Sequence, residues 1–173
     1  LNVYIRESIK SLVDNIGHIM SSKLNESKFI ENEVTLRDLR ISKEVTETRR
    51  SLVRWLALSL GVINPGESRL TAVEVLDGIL YFQFKLNKDP AVSDLLEYIE
   101  KAWGPINEKT LRYHLLQLKK TNMIKNSKSK YYISDPEIGE RYDEKAWVNS
   151  YFNNMLDPIK EKIIYALKEL KNR

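Results

Sequence analysis

A mainly α-helical fold with one small β-hairpin is predicted by three observations. Apolar residues recur at helical spacing through most of the 173 residues. One short stretch near residue 130 has strand character. Asn, Pro and Gly punctuation separates the segments.

In chain order, Ile5, Ile9, Leu12, Val13, Ile16, Ile19, Met20 and Leu24 form an apolar stripe on a helix predicted over residues 3–24. The polar stretch 25–33 reads as a loop, with Asn32 or Thr35 available as an N-cap. A second helix is predicted from Leu36 to Leu60, charged in its first half and buried in its second, and ended by Gly61 and Asn64-Pro65-Gly66. Residues 70–84 form the next helix despite Gly78, with Leu70, Val73, Leu76, Leu80 and Phe84 on one face. Asp89-Pro90 reads as a cap and first-turn proline for a helix from Ala91 to Trp103, and Gly104-Pro105 stops it. Asn107 caps a third helix, residues 107–121, whose core stripe is Leu111, Leu115 and Leu118. Asn122 takes the left-handed position that ends a helix. Met123 to Lys125 and Lys130 to Ile133 then read as two short strands around a turn, with one of Tyr131 and Tyr132 in the core. Beyond Asp135-Pro136, residues 143–170 carry Val148, Phe152, Met155, Ile159, Ile163, Leu167 and Leu170 at helical spacing. Asp157-Pro158 predicts two helices there, or one kinked helix.

Three helices followed by a hairpin, with a tight turn before the third helix, is the order of a winged helix-turn-helix. The organisation expected is therefore an N-terminal helical region (1–64), a winged-helix domain (65–134) and a C-terminal helical extension (135–173). The string from Ile106 to Ile124 resembles the recognition helix of ArsR-like and archaeal winged-helix regulators, and the resemblance covers about residues 70–134. The matching residues are Thr110, Leu111, Tyr113, His114, Leu115, Leu118, Asn122, Met123 and Ile124. Asn stands for the usual Gly, and Met for Leu. The cysteines that bind metal in sensing members are absent, so their effector chemistry does not carry over.

Charge points the same way. The net charge is +4, but residues 105–133 hold seven Lys and Arg against Glu108 alone, leaving the remainder of the chain net negative. A recognition helix in the major groove reads bases with side chains near its N-terminus. With the Leu stripe inward, Lys109, Thr110, Arg112, Tyr113 and Gln117 fall on the other faces as candidate DNA contacts. Lys125, Lys128 and Lys130 on the hairpin are candidate contacts to phosphate or to a minor groove. Lys119 and Lys120 suit a helix C-terminus with or without DNA. His114 reads as a partly buried neighbour of the second helix rather than a base reader or ligand. Arg49, Arg50 and Arg54 form a second cluster, either touching flanking phosphate or lying on a solvated face balanced by Glu44 and Glu47. Trp55, Trp103 and Trp147 have apolar neighbours and read as packing residues.

The chain has no cysteine and two histidines, His18 and His114, which removes disulfides, thiolate metal sites and a cysteine nucleophile. No phosphate-binding, dinucleotide, zinc-protease or serine-hydrolase motif occurs, so no cofactor or metal is expected, and binding is expected rather than catalysis. A composition of 42% apolar and 30% charged residues fits a soluble globular chain. The longest apolar run, residues 52–63, is broken by Arg54 and too short to span a membrane. No secretory signal is evident, and cytoplasmic, nucleoid-associated placement in an archaeal-type cell is expected. An opening Leu1 fits a fragment of a longer chain. The partners expected are double-stranded DNA and a second copy, through the flanking helices. The alternative is a winged-helix protein-interaction module of a replication-initiation or chromosome-maintenance assembly.

Overall fold

The computed structural model describes residues 26–68, 70–133 and 142–173. The predicted helix over 3–24 lies outside the described residues. The chain divides into two compact units, residues 1–34 and 35–173. Of the first, the described part is a single 3-10 turn, Glu26–Phe29, followed by exposed Ile30.

The second unit is mainly helical with a two-stranded antiparallel hairpin. Its elements are α1 (Lys43–Glu47), α2 (Arg49–Ser59), α3 (Thr71–Leu80), α4 (Val92–Ala102), α5 (Glu108–Lys120), β1 (Lys125–Ser127), β2 (Lys130–Tyr132) and α6 (Glu144–Lys171). α3 is central and packs against α2, α4 and α5, while α4 also packs on α5. Val73, Val75, Leu76 and Ile79 of α3 meet a core completed by Leu95, Ile99, Leu111, Leu115 and Leu118. Gly78 permits the close approach of α4, because a Cβ there would stand 3.1 Å from the Leu95 side chain.

One continuous helix from Leu36 to Leu60 is not what forms. Thr48 takes an extended conformation and caps α2, accepting a hydrogen bond from the Ser51 amide at 3.1 Å. Residues 35–42 instead run back along α2. The Arg37 amide donates to the Ser59 carbonyl, and its guanidinium donates to the Leu58 and Ile63 carbonyls. Carbonyls that α2 cannot satisfy internally are thereby paired. Gly61 (φ +70) closes α2 in a Schellman turn, with its own amide donating to Leu58 and that of Val62 to Ala57. A Cβ at Gly61 would also collide with the Thr35 carbonyl. Gly61→Ala should therefore cost about 2–3 kcal/mol, combining the left-handed penalty with the clash. Urea denaturation of the two proteins measures it.

The helix from Thr71 continues as a π-helical turn, Tyr81–Lys85. The extra residue per turn rotates Phe82 and Gln83 into the core where the periodicity predicts Phe84, which is only half-buried. Buried Gln83 then donates to the Lys88 carbonyl and to Asp89 Oδ1, and accepts from the Ile133 amide at 3.2 Å. One side chain thus ties the end of β2 to the approach of α4.

The cap of α4 also differs from expectation. Ala91, not Asp89, is the N-cap, and the Asp94 carboxylate accepts from its amide at 2.8 Å. Pro90 is not in the first turn; its carbonyl accepts from the Tyr131 amide, and Ala91 bridges Lys130. The hairpin is held against the start of α4 in this way. Its first strand starts later than expected, because Met123 and Ile124 are buried as core before the ladder begins. Tyr131 and Tyr132 are both half-buried, and Ile133 takes the core position instead.

α6 runs unbroken through Pro158, so a single helix forms rather than two. Asp143 caps it, accepting from the Ala146 amide at 2.6 Å. Trp147, Tyr151 and Met155 are buried, with Trp147 edge-on to Phe84 at 6.0 Å. Every residue from 157 onward is exposed.

Candidate nucleic-acid interface

α5 is fixed at both ends by local chemistry. Asn107 accepts from the Lys109 amide at 2.7 Å, and Asn122 (φ +56) completes a Schellman turn in which the Met123 amide reaches the Leu118 carbonyl. With Leu111, Leu115 and Leu118 buried, the opposite face is set by periodicity. Lys109, Tyr113, Leu116 and Lys120 recur at four, three and four, and all are exposed. Tyr113 is 57% and Leu116 49% exposed, which is unusual for large apolar groups on a packed helix.

The predicted contacts divide among three sides of α5. Lys109 and Tyr113 lie on this outward face. Arg112 lies toward the hairpin, lining a groove of about 460 Å³ with Val92, Ser93, Asn126, Ser129 and Tyr131. It is held there by Glu108, which accepts from its guanidinium at 2.6 Å. Both partners are more than half exposed, so the pair is weak and exchangeable. Thr110 is exposed on the third side, and Gln117 is half-buried there. Gln117 and Tyr113 line a cleft of about 360 Å³ with His114, Leu60, Val62, Glu67 and Met123. Leu116 and Lys120 complete the outward face and are additions to the predicted contacts. The signal that could have found them is the four-three-four spacing that starts at Lys109.

His114 is half-buried and lines a cleft with Leu60 and Val62 at the end of α2 and with Glu67. Burial lowers its pKa from the ordinary 6.5, and the Glu67 carboxylate partly offsets this. The imidazole is therefore neutral at pH 7. Because the folded pKa lies below the unfolded one, this group's contribution to stability is full above pH 6.5. It falls as the pH drops from 6.5 through the folded pKa. The His114 ring protons should show an NMR titration midpoint below 6.5; a midpoint above 6.5 would contradict the burial.

The hairpin pairs Lys125 with Tyr132, Asn126 with Tyr131 and Ser127 with Lys130. Lys128 and Ser129 form its tip, both in the left-handed region at φ +48 and +63. That geometry suits a two-residue hairpin turn but favours Asn or Gly, so an exposed lysine is carried at some backbone cost. Lys125 and Lys130 share the strand face opposite Asn126 and Tyr131. Lys130 lies close enough to Asp94 to help hold that carboxyl below its usual range, after the larger effect of the Ala91 amide.

The second basic cluster is tied into the fold, although Arg49 and Arg50 remain exposed. Arg49 Nε donates to Asp77 Oδ1 at 2.6 Å, with its guanidinium 5.5 Å from the Tyr81 ring centre. Arg50 donates to the Ala102 carbonyl and stacks over Trp103 at 4.5 Å. Arg54 donates to the Glu67 carbonyl. Arg49 and Arg50 bind α2 to α3 and α4, and Arg54 binds it to the linker that follows. Their focus is Asp77, only 2% exposed, which also accepts from Tyr98 Oη at 2.9 Å and Trp103 Nε1 at 2.8 Å. Burial first, and the neighbouring carboxylate second, push the Tyr98 hydroxyl up to about 12, so it remains a donor.

No protein-family model matches the chain, and no curated protein or solved structure is significantly similar to it. Its residues alone carry the functional argument. Among the described residues, no three His, Cys, Asp or Glu side chains gather as a metal site, and no helix is long and apolar enough to cross a membrane.

Proposed function

We propose that residues 65–134 form a winged-helix domain and that the protein works by binding double-stranded DNA rather than by catalysis. The observation that carries this reading is the exposed row Lys109, Tyr113, Leu116 and Lys120 on α5, flanked by a hairpin with Lys128 at its tip. A helix fits the major groove, where an apolar side chain contacts the thymine methyl and lysines contact guanine or phosphate. Arg112 becomes a base reader when it exchanges Glu108 for guanine, which offers it two acceptors. Lys125, Lys128 and Lys130 supply affinity through phosphate.

In this reading the protein is a dimeric transcriptional regulator associated with the nucleoid. Selection from a random duplex pool, with sequencing of the bound fraction, tests it. Enrichment of a motif with two-fold symmetry is expected, and recovery of an unselected pool would remove the regulator reading. The long exposed part of α6 favours a second reading, a protein-interaction module in a replication-initiation or chromosome-maintenance assembly. That reading predicts no duplex binding at low salt together with recovery of one defined partner.

A further inference from the structure

The solvent side of α6 carries a second apolar line besides the docked Trp147, Tyr151 and Met155. Val148, Phe152, Ile159, Ile163 and Leu170 stand at separations of four, seven, four and seven. An eleven-residue repeat keeps such a line nearly straight along a helix, with only a slight right-handed supercoil. Val148 is 41% exposed, Ile163 55% and Leu170 69%, and Phe152 is half-buried, so the line is open at both ends of the helix and along its second half. A narrow straight stripe is the shape that one other helix covers.

Charge selects the partner and its direction. Residues 142–157 hold three acids and one lysine, whereas 158–173 hold five bases and two acids. An antiparallel second α6 therefore sets each basic half against an acidic half and opposes the helix dipoles. Parallel pairing would put the two basic halves side by side. Val148 and Leu170 are equidistant from Ile159, which places the two-fold axis there. The paired stripes run about 33 Å at 1.5 Å per residue. Covering them removes on the order of 1,000 Å² in total, the lower bound for a specific interface.

We propose that two copies of this chain associate through an antiparallel pairing of α6, with Ile159 at the two-fold axis. The proposal specifies the dimer of the preceding reading but does not depend on DNA binding, because its test contains no DNA. Sedimentation equilibrium of the full chain at tens of micromolar should give twice 20.3 kDa. Ile163→Glu with Leu170→Glu should give 20.3 kDa with cooperative unfolding retained. Ile164→Glu, off the stripe, should leave the dimer intact. The absence of native cysteine makes the direction directly readable. Ile159→Cys should form a disulfide with its own copy, and Leu170→Cys only with Val148→Cys in a mixed sample. A monomeric parent chain would overturn the proposal. So would a dimer that survives the double substitution, or a Leu170→Cys chain that cross-links to itself.

Discussion

Asp77→Ala should lower stability by about 3 kcal/mol, because it removes one partner of a buried ion pair. Asp77 is nearly fully buried and accepts from Arg49 on α2 and from Tyr98 and Trp103 on α4 and at its end. Removing it strands two neutral donors and one guanidinium. Arg49 is 44% exposed and regains water, which keeps the cost at the low end of the range for a broken buried pair. The melting temperature should fall by roughly 6–12 °C for a chain of this size. Asp77→Asn keeps an acceptor and should cost clearly less. Circular-dichroism melting of the three proteins checks the order, and an Asp77→Ala protein melting within about 1 °C of the parent would show that the network contributes little.

The second large effect concerns DNA. Changing Arg112 and Tyr113 together to Ala should reduce discrimination between a selected site and random duplex by roughly 10- to 100-fold for each base that is no longer read. Changing Lys125, Lys128 and Lys130 to Ala should weaken binding to all sequences alike. It should also flatten the salt dependence by about 2 to 3 in log–log slope, since each phosphate neutralised contributes about 0.9. Competition binding at two salt concentrations separates the two patterns. Equal weakening of specific and non-specific binding in both variants would remove the assignment of α5 as reader.

The sequence makes α5 legible because its signals are local. Asn107, Asn122 and the Leu111–Leu115–Leu118 stripe act within a few residues, and the helix forms where they place it. Local signals also mislead. Met123 and Ile124 are apolar enough for a strand, but tertiary packing claims them as core. Residues 36–60 lack a proline or glycine break, so Thr48 reads as helix interior although its hydroxyl caps α2. The clamps are invisible for a different reason. Arg49 finds Asp77 28 residues away and Arg50 finds Ala102 52 residues away, and no spacing in the chain encodes such partners. Of the candidate interface, Lys109 and Tyr113 can be read directly. Gln117 falls on an outer face by periodicity, but the linker after α2 half-covers it. Leu116 lies on the same four-three-four spacing from Lys109, but a leucine there reads as core until Leu111, Leu115 and Leu118 are seen to fill the core on the opposite side.

Fluorescence anisotropy of a labelled duplex, titrated with the protein across a salt series, tests DNA binding most directly. Five cationic side chains, Lys109, Lys120, Lys125, Lys128 and Lys130, predict that log K falls with log salt at a slope of about −4 to −5 per protomer. Absence of binding at about 50 mM salt, or a slope near zero, would contradict the account.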